Sequence, residues 1–412
     1  MLLLAVATLP VLSRQYIGKT QSDLSIYLHS VDGLLQGRLY DGQVFEYPPY
    51  ALIWFLAPYA WAPDDLQGFR FAFGLEMWLF DAAIKTTLLW RALRARQGFP
   101  NLVPFFIYSL GSAAVGHVLL MRYDLVPAAL SLAGALAVAG GHPFLGGAAT
   151  ALAAGTKVYP ALFIPILAVV AWQRSRRDGR QFVMGVAAGA APLLLLAAWM
   201  PWWNFARFHD ARGLEAGSLV ASIIWSLRHV ADVDATWSLV GTSNEVGGPL
   251  ARQLLGPARM FWVVSTLASL GIAIAGALRM ARASEGAARP AAVAMLMLLT
   301  VAAFVATNTV LSPQFHVWLI PVAALVLEGR ASLPPAAVRA AWLTFVATMI
   351  VPTFFPHRQF GPGLGPLLTG VLVLRNGLLL YATVCLAQAA FAILSVSAPR
   401  QNGTDRVARS LS

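Results

Sequence analysis

The chain has a single cysteine among 412 residues, and only 11% of it is charged. Cys385 has no second cysteine to pair with, which excludes an intrachain disulfide and a thiolate metal cluster. Soluble domains carry about 25% charged residues, so this chain cannot cover a water-facing surface in the ordinary way. A Walker-type loop, a glycine-rich fingerprint after a strand, HExxH and CxxC are all missing. No spacing of Asp and His argues for a metal, and no cofactor is expected.

Apolar residues make up 58% of the chain, and mean hydropathy is +0.67. That composition is expected of an all-α, polytopic membrane protein. Apolar segments at 2–17, 71–90, 103–120, 125–140, 144–158, 160–172, 182–200, 258–278, 290–308, 314–327, 340–354 and 367–394 give about twelve predicted spans. Several of them are short for a level crossing. Residues 2–13 lack a basic flank and a clean cleavage site, so they are read as an uncleaved first helix, with Met1 not secured as the true start. "GGAATALAAG", Gly146 to Gly155, is helix-packing material and not a phosphate cradle.

A net charge of +11 is of the kind that attracts nucleic acid, but the arginines cluster between apolar segments, as the positive-inside rule expects. Placing Arg91, Arg94, Arg96, Arg174 to Arg180, Arg279 to Arg289, Arg330 and Arg339 in the cytoplasm puts both termini there. Residues 1–394 then form one membrane domain, with long outer loops at 18–70, 201–257 and 355–366, followed by a disordered cytoplasmic tail, 395–412. A second apolar piece, Tyr47 to Pro63, would reverse this layout if it crossed, so it is predicted to lie at the outer interface. The sequon at Asn402 falls in the tail and reads as chance.

In this layout, polar residues from five distant segments meet one face. They are Asp23, His29, Asp32, Asp41 and Glu46; Arg122 and Asp124 in "LLMRYDLVP"; Lys157; His209, Asp210, Arg212 and Glu215; and His316. Each also has a plainer reading. Asp23 in "SDLS" fits a helix cap, Arg122 with Asp124 an interfacial ion pair, Lys157 a snorkelling side chain, and His316 a packed one. Asp81 and Lys85, four apart within a span, read as a structural pair. Taken together, carboxylates among cations suit a phosphate-bearing lipid held while a hydroxyl attacks it. The cations offset phosphate charge, and a carboxylate takes the hydroxyl proton. A transporter or flippase is the alternative, although the two halves of the chain show no internal symmetry.

"SDLSIYLHSVDGLLQGRLYDG…FEYPPYALIWFLAPYA", "MRYDLVPAALSLAGALAV", "GGAATALAAGTKVYPALFIPILAVV", "RFHDARGLEAGSLVASIIWSL" and "LSPQFHVWLIPVAAL" together resemble the bacterial GT87 mannosyltransferases. These are multi-span enzymes of the GT-C type that use polyprenyl-phosphate-mannose. The resemblance implies metal-independent, inverting transfer of mannose to a glycolipid or lipoglycan at the outer face of the plasma membrane. It makes Asp23 the general base, with Asp32 as rival, and sets Lys157, Arg212 and His316, with Arg122 and Asp124, toward donor phosphate or sugar. Tyr27, His29, Asp32, Tyr47, His209 and Glu215 become acceptor-side candidates. The chain departs from its relatives at Asp124, where they more often carry a GQ pattern, and at Gly217, where they tend to carry an acidic or amide residue. Membrane lipids are expected partners; nucleic acid is not.

Overall fold

The computed structural model describes residues 23–39, 45–63, 65–94, 102–197, 205, 212–231, 233–240, 243–280, 288–354 and 364–395. The predicted first span 2–17, Asp41, His209, Asp210, nearly all of the loop 355–366 and residues 396–412 of the tail lie outside them. Helices dominate. In chain order they are α1 (Leu24–Leu35), α2 (Ala51–Trp61), α3 (Leu66–Arg94), α4 (Val103–Val115), α5 (His117–Met121), α6 (Leu125–Ala139), α7 (Pro143–Thr156), α8 (Phe163–Arg174) and α9 (Arg176–Ala197), followed by α10 (Leu219–Ala231), α11 (Pro249–Met280), α12 (Ala288–Thr307), α13 (His316–Glu328), α14 (Pro335–Met349) and α15 (Pro366–Ser395).

Eleven of the twelve predicted apolar segments fall on these helices, but their lengths correct the expected span count. Among the described residues, only α11, Pro290–Thr307 of α12 and α15 are long and apolar enough to cross a membrane. Other apolar helices are short: α6, with 15 residues, rises only about 22 Å against an apolar thickness of about 30 Å. Glycine explains one break. Gly116 sits at φ +63, a conformation other residues rarely adopt, and it divides the predicted 103–120 segment into α4 and α5.

The long helices are inverted relative to those of a water-soluble protein. α11 buries Ala258, Thr266, Ser269, Ala273 and Gly276 and exposes Met260, Val264 and Leu267. α15 buries Thr369, Asn376 and Cys385 and exposes Leu367, Leu374 and Phe391. Small and polar groups turned inward, with large apolar ones outward, are what an apolar solvent selects. α12, without a charged residue from Ala291 to Thr307, is buried all round, and α13 packs beside it.

Small residues also bring α7 and α9 together. A Cβ on Gly189 would lie 2.7 Å from the Ala148 carbonyl oxygen, and one on Gly147 or Gly185 would run into the carbonyls of Phe182 or Phe144. The predicted interfacial helix appears as α2, docked at the end of this pair. Trp54 donates to Thr156 Oγ1 at 3.0 Å. The Tyr50 hydroxyl enters the backbone ladder of α9, donating to Gly189 O at 2.9 Å and accepting from Leu193 N–H at 2.6 Å, next to Pro192. A proline with an inserted side chain is a recognised cause of helix bending.

The expectation of an all-α chain needs a second correction. Within 201–257, β1 (Leu214–Glu215), β2 (Thr236–Val240) and β3 (Ser243–Gly247) form an antiparallel sheet in the order β1-β3-β2. Leu214 pairs with Val246, Glu215 with Glu245 and Trp237 with Val246. Thr236, Trp237 and Val240 are good strand formers, and Gly241 follows them as a turn signal. Leu214, Ala216, Trp225, Val246 and Leu372 make a separate small core beneath the sheet, which ties it to α15.

Substituting Gly185 by leucine is expected to force α7 and α9 apart, at about 3 kcal/mol, the upper end of usual overpacking costs. Thermal unfolding in detergent checks this. An unchanged midpoint would mean that the helices do not meet there.

Candidate active site

Asp23 precedes α1 in the cap position, yet its carboxylate makes no capping hydrogen bond. The group is 6% exposed and pairs instead with Arg122 across the fold. The Tyr47 hydroxyl lies 3.4 Å from Asp23 Oδ2 and donates to Glu46 Oε1 at 2.8 Å. Gly116 and α5 deliver Arg122, Tyr123 and Asp124 as one turn, and each of the three goes a different way.

Asp124, 1% exposed, accepts at Oδ1 from Lys157 Nζ and from Trp318 Nε1, both at 2.6 Å. Its Oδ2 is buried with no hydrogen-bond partner among the described residues. Lys157 Nζ sits 4.8 Å from the Tyr123 ring centre and 5.0 Å from that of Trp318, so cation–π attraction adds to the ion pair. Tyr123 closes a box of rings with Tyr27, Tyr47 and Phe55, at centroid separations of 5.2 Å (Tyr47–Tyr123), 5.5 Å (Phe55–Tyr123) and 5.7 Å (Tyr27–Tyr123). Burial lowers Arg122 to about 10, despite Asp124 and Glu215 nearby.

A second group lies on the other side of Arg122. Burial raises Glu215 to about 6, opposed by Arg212, Arg375, the Leu311 backbone N–H and Arg122. His316 is fully buried at the start of α13, with Nδ1 3.0 Å from Thr348 Oγ1. The Thr348 hydroxyl donates to Thr344 O, so it accepts from His316, and this network assigns the proton to Nδ1. Nε2 is then a bare acceptor with no partner among the described residues.

These two groups contain every strongly buried charge that the sequence singled out toward a donor. The model of glycosyltransferase family 87 fits residues 45–313, a span that holds Arg122, Asp124, Lys157, Arg212 and Glu215 and excludes Asp23 and His316. The chain belongs to glycosyltransferase family 87. Among solved structures, the crystal structure of ArnT from Cupriavidus metallidurans in the apo state is similar, with 14% identity and a TM-score of 0.44, over 90% of this chain and 73% of that one. No curated protein matches.

As a family 87 member the chain is a glycosyltransferase whose task is sugar transfer at a membrane. The predicted site residues divide accordingly. Asp23, Arg122, Asp124, Lys157, Tyr27 and Tyr47 come together; Arg212 and Glu215 adjoin them through Arg122; His316 stands with Thr348. Asp32 is held by Tyr59, whose hydroxyl donates to Oδ1 at 2.8 Å. His29 is exposed, with Nδ1 2.5 Å from Ser25 O. It lines a hollow of about 40 Å³ with Gly33 and Phe45, room for a water and not for a sugar. Among the described residues, no group of three His, Cys, Asp or Glu side chains could hold a metal.

Sequence reasoning missed Tyr123, Trp318, Arg375 and Asn376. Arg375 carried a usable signal, a lone charge inside the apolar run 367–394. Trp318 carried none, since a tryptophan in an apolar helix is ordinary.

Glu215 has a pH consequence. Its folded value, about 6, lies above the ordinary 4.5. Between those values the folded chain binds more protons than the unfolded one, so stability falls as pH rises through that window. Glu215→Gln is expected to remove this component, on the order of 1–2 kcal/mol, from the pH dependence of thermal unfolding. An identical slope in both proteins would refute it.

Proposed function

We propose that this family 87 protein transfers mannose, with inversion, from a polyprenyl-phosphate donor to a glycolipid or lipoglycan at the outer face of the plasma membrane. One observation carries the reading: a buried carboxylate, Asp23, released from capping and set beside Arg122, next to a second cation held by Asp124. Asp23 is the base that takes the acceptor proton as the hydroxyl attacks the anomeric carbon opposite the phosphate. Arg122 and Lys157, each already beside a carboxylate, meet the donor phosphate and the charge that grows on it as it leaves. A phosphate leaves readily, so a strong acid is not required. A β-linked donor thus becomes an α-linked product.

Tyr47 and Glu46 border Asp23 on the acceptor side, with the α2 aromatics behind them. An outward-facing site, with cytoplasmic termini, belongs to this same proposal. It is supported by the arginine distribution and by the inverted faces of α11 and α15. Family membership favours sugar transfer over the transporter alternative.

Asp23→Asn preserves shape and removes the base. Transfer of radiolabelled mannose from polyprenyl-phosphate-mannose into membrane glycolipids is expected to drop by at least about 100-fold, measured below the unfolding midpoint, which itself falls because Arg122 loses its partner. Retained transfer would take Asp23 out of the central role.

A further inference from the structure

Arg375 is the tenth residue of the thirty-residue apolar helix α15 and is 2% exposed; its neighbour Asn376 is fully buried. Charges at such positions are costly and persist where they are paired or used. The contacts point toward the reaction centre. Arg375 Nη2 donates to Gly217 O at 2.5 Å, and Nε and Nη2 donate to Asn376 Oδ1 at 3.1 and 2.9 Å. Asn376 Nδ2 donates in turn to Gly217 O at 3.2 Å and Ser218 O at 3.1 Å. Two buried side chains therefore grip two successive carbonyls of the turn that opens α10. The turn passes close by: a Cβ on Gly217 would lie 2.5 Å from Leu311 O and 3.5 Å from Arg375.

A neutral donor would satisfy the Gly217 carbonyl. An arginine adds charge, and the nearby carboxylate it acts on is Glu215, two residues before Gly217. Glu215 in turn acts on Arg122, the partner of Asp23. Other ties of this turn are Glu215 N–H to Thr309 O at 2.9 Å, Ala216 N–H to Asn244 O at 2.7 Å and the Leu311 N–H to the Glu215 carboxylate; α15 adds Arg375 and Asn376. Both residues lie beyond the 45–313 span matched by the family model.

We propose that Arg375 and Asn376 are positioning residues of the transfer reaction, clamping the Glu215–Ser218 turn from α15 and so holding Glu215 against Arg122. The idea rests on the proposed function. The charged groups around Glu215 are Arg212, Arg375 and Arg122, with Glu245 opposite it on β3.

The test compares Arg375→Lys, Arg375→Gln and Asn376→Ala in lipid nanodiscs, by hydrogen exchange and by mannose transfer from polyprenyl-phosphate-mannose. Exchange in residues 212–222 is expected to rise about tenfold in the Gln and Ala variants while α3 and α7 stay protected. kcat is expected to fall about tenfold with little change in donor KM. The limb of the pH profile that Glu215 sets is expected to move upward in Arg375→Gln and to stay in Arg375→Lys, which keeps the charge and the fold. Unchanged exchange would overturn the clamp even if the wild-type protein transferred no mannose, a result that would separately sink the proposed function. Raised exchange with unaltered kcat and pH limb would make the pair a structural tie only, and that too would overturn it.

Discussion

Charge held out of water must find opposite charge and hydrogen bonds within reach, and the turn Arg122–Asp124 is where this chain meets that demand. Arg122 goes to Asp23 at the start of α1, and Asp124 goes to Lys157 at the end of α7 and to Trp318 in α13. Three helices distant in sequence are thereby fixed around three consecutive residues. A buried pair stripped of one partner leaves an uncompensated charge, which is more damaging than the pair is stabilising. The same economy explains the mid-helix trio, in which Asp81 accepts from Lys85 and from Tyr108.

Around these pairs the packing depends on small residues and on aromatic faces. Glycines at 147, 185 and 189 let α7 and α9 approach to backbone contact, which sets where the end of α7 presents Lys157. Rings then fill the space that the charges leave. Trp318 stacks on Tyr159 at 4.3 Å while its N–H holds Asp124, so one side chain serves the packing and the polar network together.

The second cluster changes the place of the C-terminal helix. α15 is long enough to cross a membrane and exposes large apolar side chains along most of its length. Where it meets the turn after β1 it presents Arg375 and Asn376, and the small core of Trp225, Val246 and Leu372 seals that junction. The sheet thus joins the segment that carries Arg212 and Glu215, within the family-matched span, to the last helix.

Helix content, the separate apolar helix at α2 and the packing role of Gly146 to Gly155 were legible because composition and periodicity are local properties. The family was legible because five motifs kept their order. Asp23 could be singled out, but whether it capped a helix or faced inward depended on Arg122, 99 positions away. The three-stranded sheet was hidden because short strands of mixed burial give little period-two signal. Pairings such as Asp124 with Trp318, or Arg375 with Gly217, were beyond any local reading. The sequence by itself determined which residues avoid water and which carry charge. Only the tertiary structure decided which charges neutralise one another, because pairing depends on distance in space, and in a low-dielectric interior that distance governs the energy.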